Sequence, residues 1–332
     1  MAVIFVVMSF STEVNAISKK KDKKTNWSSF DFSDLAKGKI PGPVKKRYSD
    51  VKRVFIADVV INQQVFSKYS KTSYGGLGHG SSKAKMEANL GGIDFGTYQN
   101  AVAEIYERIA QIYTELGYEV VSDAEVMATE LYKNKESGKR IVAANASEVE
   151  PVRYGDGGLN KLVSVRPANK LVVYNDAKKD VLTKGGAPWK VYFKLANELD
   201  ALVVGYSFNA SFVDMSGKGG YFSTSAKVKA TPYLSIYNGN LITLAPSTKT
   251  TQPTTGSFYQ TEPLEGNNDG WISPDGFKTI DESESSYYWT GSANKKVENV
   301  MMVNPIPFVE EVSSITTGLA DALTHQFISG IE

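Results

Sequence analysis

Between Pro188 and Leu244 the apolar period switches from that of a helix to that of a strand without a break, so any fold of this chain must set a helix directly before a long hairpin. Trp189, Tyr192, Phe193, Ala196 and Leu199 recur at three- and four-residue steps after Pro188, a residue suited to the first helical position, which predicts a helix ending near Asp200. Ala201 to Phe212 begins as a continuous apolar run, then alternates. Tyr206, Phe208, Ala210 and Phe212 fall on one face, with Ser207, Asn209 and Ser211 on the other. Glycines in Ser216 to Gly220 supply turn chemistry, and the chain returns as Phe222, Thr224, Ala226, Val228 and Ala230 opposite Ser223, Ser225, Lys227 and Lys229. This predicts a long antiparallel hairpin. Tyr233 to Tyr237, a turn at Asn238 to Asn240, and Leu241 to Leu244 predict a second, tighter hairpin continuing the sheet.

The flanking segments fit a mixed sheet with helices packed on it. Val54 to Phe66 is β-prone and apolar enough for a central strand, and a glycine-rich insertion follows over residues 74–96. Val102, Ile105, Tyr106, Ile109, Ile112, Tyr113 and Leu116 form one helical stripe, closed by Gly117. Tyr118 to Val121 enters a second strand, and Ser122 to Glu125 has capping-box spacing for a short helix through Val126, Met127 and Leu131. Lys161 to Val165, Lys170 to Tyr174 and Val300 to Val303 read as strands. Residues 246–294 read as a second, polar insertion, and Val312, Ile315, Leu319, Ala322, Leu323 and Phe327 mark a terminal amphipathic helix. The fold class is α/β (α+β), with one main domain over residues 54–332.

The 332 residues carry a formal charge of +1, which argues against a dedicated nucleic-acid binder but hides an asymmetry. From Lys19 to Arg53 twelve lysines and arginines stand against four aspartates. Residues 17–53 therefore read as a basic, extended N-terminal arm, either a strap on a neighbouring surface or, the reading favoured here, a solvated leader. Ala2 to Phe10 is apolar and is followed by Val14-Asn-Ala16, the small-residue pattern of a signal-peptidase site, so residues 1–16 read as a signal peptide although no basic residue precedes the run. Without cysteine the chain has no disulfide, no thiolate metal site and no cysteine lipid anchor.

Local motifs for catalysis fail in detail. Gly75 and Gly80 have the separation of a phosphate loop, but Ser81 stands where lysine is needed; the dinucleotide pattern fails because Gly76 and Gly78 lead to Ser81 instead of a third glycine. His79 and His325, the two histidines, do not by themselves make a zinc site or a triad. Glu265 to Gly270 resembles the start of a calcium loop, yet Gly276 occupies the place of the closing glutamate. Tyr287, Tyr288 and Trp289 offer a stacking platform for a sugar or, more commonly, a core cluster. Asn26, Asn145 and Asn209 begin glycosylation sequons. No catalytic, cofactor-binding or metal-ligating residue is assigned on this basis.

Three segments carry a distant resemblance: Leu116 to Val121, Leu199 to Gly205 and Leu234 to Leu241. Their order resembles the periplasmic α/β domain of the curli-secretion channel family and the amino-terminal domain of the Tol-system propeller protein. The resemblance implies an exported, non-enzymatic envelope or cell-surface protein, located in the periplasm, at the outer membrane or on the surface. It would act through protein-protein contacts, as a homo-oligomer, ring or surface-structure subunit or with envelope partners. Members of the channel family carry a lipid-anchoring cysteine, absent here, and two membrane-crossing hairpins. In this sequence Gly205 to Thr231 alone reads as long enough; Lys227 and Lys229 on its polar face suit a lumen-facing role, and a soluble sheet hairpin is the favoured reading. The alternative is a carbohydrate-active or ligand-binding secreted protein using Trp271, Tyr287, Tyr288 and Trp289.

Overall fold

The structure is a computed structural model; it describes residues 24–42, 45–74, 81–133, 141–143, 151–153, 160–173, 188–219, 225–247, 255–267, 270–281 and 296–332. In chain order the elements are β1 (Ala36–Lys39), α1 (Lys45–Ser49), β2 (Arg53–Ser73), β3 (Ser82–Gly91), α2 (Phe95–Glu115), β4 (Glu119–Val120), α3 (Asp123–Ala128) and α4 (Glu130–Lys133). Next come β5 (Ile141–Ala143), β6 (Pro151–Arg153), β7 (Asn160–Val165), β8 (Leu171–Val173), α5 (Pro188–Leu199), β9 (Leu202–Lys218) and β10 (Lys227–Leu244). The chain closes with β11 (Thr255–Gln260), β12 (Leu264–Glu265), β13 (Ile272–Asp281), β14 (Lys296–Val303) and α6 (Pro305–Ile331).

The α/β expectation holds: twelve strands form one mixed sheet whose main path is β1-β11-β10-β9-β2-β3-β14-β13. β2 runs parallel to β9 and to β4, and β3 runs parallel to β14, while the remaining pairs are antiparallel. β5 and β8 form a separate antiparallel pair.

Parity along β2 shows how the sheet serves two cores. Val54, Ile56, Val59 and Ile61 face the cluster built with α2 and α6, whereas Phe55 and Ala57 face the cluster with α3, α4 and α5. The jump from Ile56 to Val59 is a bulge, seen as a register shift against β9, and it turns Asp58 to the α5 side. On β9 the alternation predicted from sequence places Leu202, Val204, Tyr206, Phe208, Ala210 and Phe212 in the α2/α6 cluster.

The helices begin and end for local reasons. Asp94 caps α2 by accepting from the amides of Gly96 at 3.2 Å and Thr97 at 3.0 Å, and Gly117, at φ 81°, releases the chain into β4. The capping box of α3 is formed as predicted: the Glu125 amide donates to Ser122 Oγ at 3.3 Å and the Ser122 amide donates to Glu125 Oε1 at 3.1 Å. α6 opens on Pro305, with the Asn304 amide donating to Trp271 O at 2.7 Å. A buried hydroxyl chain ties α2, β9 and α6 together. Thr324 Oγ1 gives its proton to Ala320 O at 2.7 Å, so Tyr206 donates to Thr324 at 2.7 Å and Tyr113 to Tyr206 at 2.9 Å.

Several sequence expectations are corrected. The second hairpin at Asn238 does not exist: β10 is one strand from Lys227 to Leu244, bulged between Tyr237 and Asn240, with both halves paired to β9. A turn-prone Asn-Gly pair is absorbed as a bulge because the partner strand runs on past it; Asn238 keeps a positive φ of 52°, and the Gly239 amide donates to Gln260 Oε1 at 2.9 Å. The insertion at residues 74–96 contains β3 and the start of α2, and the insertion at 246–294 contains β11, β12 and β13. β3 does alternate, with Ala84, Met86, Ala88 and Leu90 opposite Lys83, Lys85, Glu87 and Asn89, but its apolar side chains are mostly small and it follows a glycine-rich stretch, which masks the pattern. Gly205 to Thr231 is not the single long hairpin: β2 and β3 form another, paired from Phe66↔Asn89 to Ser73↔Ser82.

Candidate interaction surfaces

The two hairpins define the first surface. At Ile61 to Gln63 β2 has β7 on one edge and β9 on the other; at Phe66 and Ser67 it has β7 and β3. β3 therefore takes over the edge that β9 leaves. Beyond this point the outer half of β9/β10 packs against the outer half of β2/β3. The approach is close because Gly217 lacks a side chain: a Cβ there would lie 2.7 Å from Tyr69 Cε1. The Ala226 amide donates to Ser82 Oγ at 3.0 Å across the same seam.

The faces turned away from that seam are wet and basic. Lys83 and Lys85 are exposed on β3, and Lys218, Lys227 and Lys229 on β9 and β10. Lys218 and Lys227 are direct cross-strand partners, an arrangement that costs stability in an isolated hairpin. Lys68 is paired with Glu87.

On the α5 side of the sheet the charge and amide groups of β2 are used internally. Arg166 Nε donates to Asp58 Oδ1 at 3.0 Å and Nη2 to Oδ2 at 3.2 Å. Burial pushes the Asp58 carboxyl up, and the Arg166 guanidinium opposes that shift. Asn62 Nδ2 donates to Asn209 Oδ1 at 3.0 Å, and Asn62 Oδ1 accepts from Ser164 Oγ at 2.8 Å. Because a slip of one residue would turn every one of these groups to the opposite core, the ladder fixes the register of β7, β2 and β9.

The second surface lies on the helix side. Trp27 Nε1 donates to Glu311 Oε1 at 2.5 Å, Thr25 and Asn267 exchange two hydrogen bonds at 2.8 and 2.9 Å, and the Phe32 ring covers Gly318 of α6 so closely that no side chain fits there. Trp27, Phe30 and Phe32 contact one another edge to face or tilted. From residue 24 onward the arm is therefore a strap on its own chain, and the solvated-leader reading is overturned there: Trp27, Phe32, Leu35, Ala36, Ile40 and Tyr48 are buried, and β1 pairs with β11. Isolated aromatics in a lysine-rich segment were the legible signal. Residues 1–23, including the signal-peptide reading, lie outside the described residues.

Between the strap, α2 and the outward face of α6 runs an open groove of about 1060 Å³. Asp31, Glu104, Glu310 and Asp321 line it. Asp321 Oδ2 accepts from Arg108 Nη2 at 3.1 Å, while its buried Oδ1 has no hydrogen-bond partner among the described residues; burial raises this carboxyl against the opposing effect of Arg108. At the far end of α6, Lys45, Lys46 and Lys52 surround Leu116, Ile328 and Ile331 in a smaller hollow of about 460 Å³. The lysines of the hollow belong to the basic arm legible in the sequence, whereas the groove was not read from it, because its carboxylates come from three separate segments.

The remaining sequence candidates do not come together. Gly75 to Gly80 with His79, Asn145 and Tyr287 to Trp289 lie outside the described residues; Ser81 precedes β3, and His325 sits on the outer face of α6. Trp271 is fully buried against Phe308 and donates to Asn267 O at 2.6 Å, so it offers no stacking face. In the calcium-like stretch, the Asn267 side chain is bonded to Thr25 and its amide to Glu311 Oε1, while positions 268 and 269 lie outside the described residues. Among the described residues no group of three His, Asp or Glu side chains is placed to hold a metal ion. Asn209 is buried in β9, which removes its sequon from modification of the folded chain; Asn26 remains exposed.

No protein-family model, no curated protein and no solved structure matches this chain. No helix among the described residues is long and apolar enough to cross a membrane, which leaves β-strand crossing unaddressed.

Proposed function

We propose that this protein is an exported, non-enzymatic envelope or cell-surface assembly protein that works through protein-protein contacts, as a homo-oligomer, ring or surface-structure subunit. The observation that carries this reading is the pair of stacked hairpins. Their outer halves run past Gln63, where Tyr98 at the start of α2 donates to Gln63 Oε1 at 3.0 Å, into strands that expose lysine on both outward faces. A core does not need those ends: Lys83, Lys85, Lys227 and Lys229 bury nothing large, and the Lys218/Lys227 pair opposes the hairpin that holds it. Such features persist where the surface is recognised by something else. The order of elements that resembles the curli-secretion channel domain supports an envelope setting. The carbohydrate-binding alternative loses Trp271 to the core.

The test is cross-linking in the native envelope followed by light scattering on the purified full chain. Cross-linked multimers, and a mass above 36.3 kDa in solution, are the expected results. A monomer at all concentrations, recovered without cross-linked partners from the envelope, would overturn the reading.

A further inference from the structure

The helix side of the molecule carries two surfaces of opposite sign along one element. Along α6 from Ile306 to Ser329 the groove presents Asp31, Glu104, Glu310 and Asp321, of which Asp31, Glu104 and Glu310 are exposed. Phe30 and Ile306, at 36% and 62% exposure, add apolar contact surface to the same groove. At the last turn of α6 the hollow presents Lys45, Lys46 and Lys52 around an apolar floor. From Glu310 to Ile331 the helix advances roughly 30 Å, several Debye lengths at physiological salt, while Asp321, about 15 Å from Ile331, is already paired with Arg108, so the exposed acids of the groove are not neutralised by the lysines within one molecule.

We propose that the acidic groove docks the basic α1 end of a second copy of this chain, forming a head-to-tail contact. This rests on the assembly reading above and names its partner. Charge complementarity selects the occupant: a net charge of +1 for the whole chain conceals a donor patch and an acceptor patch that match in sign and in their mixture of charge and apolar surface. Because the two patches differ, the contact is heterologous; it closes into a ring or extends as a filament according to the rotation between copies. Glu332 lies beside the lysines and makes the basic patch weaker than its three ammonium groups alone would suggest.

The experiment uses the full chain and charge reversal. A groove variant carries Glu104→Lys and Glu310→Lys; an α1 variant carries Lys45→Glu and Lys46→Glu. Sedimentation at low and physiological salt is expected to show wild-type association that weakens with salt, and a loss of roughly tenfold or more in association constant for each variant alone. Mixing the two variants is expected to restore association, because each then offers what the other lacks, and so is a chain carrying all four reversals. Circular dichroism confirms that each variant is folded, and Lys194→Glu, at an exposed position of α5 outside the groove, the α1 end and the hairpins, serves as a control that leaves this contact unchanged. Association unaffected by either reversal overturns the proposed contact while leaving assembly through another surface standing. A fully monomeric wild type overturns both. Loss of association on deleting residues 1–23, with no effect of the α1 reversals, also overturns it, by assigning the groove to the lysines at Lys19 to Lys23.

Discussion

β2 and β9 each pass through two environments. From Val54 to Gln63, and from Leu202 to Ala210, they lie side by side beneath helices, with nearly every side chain buried. From Lys68 to Ser73 and from Asp214 to Lys218 they have separated and each is paired with its own return strand; the side chains of β2 are there mostly half-buried, and alternate side chains of β9 are exposed. The inner halves are held by packing on both faces. The outer halves are held by ladder hydrogen bonds and a thin seam at Gly217. Substitutions in the inner half should therefore unfold the domain, and substitutions in the outer half should open only the hairpins.

The largest effect is expected from the inner half. Phe208→Ala removes a fully buried ring and should cost about 3–5 kcal/mol in chemical denaturation, whereas Met215→Ala, half-buried in the outer half of β9, should cost under about 1.5 kcal/mol. Equal losses at the two positions would erase the distinction.

Arg166→Met should cost about 3–5 kcal/mol at neutral pH because it leaves Asp58 buried without its partner. The sign with pH follows from the raised Asp58 carboxyl. The folded state holds that proton more tightly than the unfolded state, so the stability contributed by the protonated group is complete below the unfolded value of about 3.9 and declines as pH rises to the folded value. Without Arg166 the decline should be steeper, so the urea midpoint of the variant should move toward the wild type on acidification toward pH 4. Adding Asp58→Asn should recover much of the loss at pH 7.

A smaller, local effect is expected at the seam. Gly217→Val forces Tyr69 and Lys71 aside and should cost about 1–3 kcal/mol, read as faster amide exchange in the outer halves of β9 and β10 with little change in the inner halves. Smallest of all, Lys85→Ala should stay within about 0.5 kcal/mol of wild type. A larger loss there would mean that the outer faces have a structural role in the monomer.

Much of this contrast was legible in the residues. The apolar run and alternation of β9, the stripe of α2 and the capping box of α3 each depend on neighbours within one turn or one pleat, so local pattern sufficed. The bulge at Asp58 was partly legible, as a charge inside an apolar run followed by Asn62, Gln63 and Gln64. The arm was misread because Trp27, Phe32 and Leu35 show no period: they are placed one by one against α6, nearly three hundred positions later in the chain. The groove's carboxylates had no sequence signal at all, since Asp31, Glu104, Glu310 and Asp321 meet only when three segments pack.

By itself, then, the sequence determined which segments are helix and which are strand wherever a side chain's burial follows from its own period, together with the absence of thiol chemistry. Only the tertiary structure decided that Asn238 and Gly239 bulge instead of turning, that the basic arm straps the helices, that a second hairpin stacks on the first, and that carboxylates line the outward face of α6 while lysines gather at its last turn. Those features depend on which distant strand or helix lies alongside, and contact energies between remote segments leave no periodic trace in the chain.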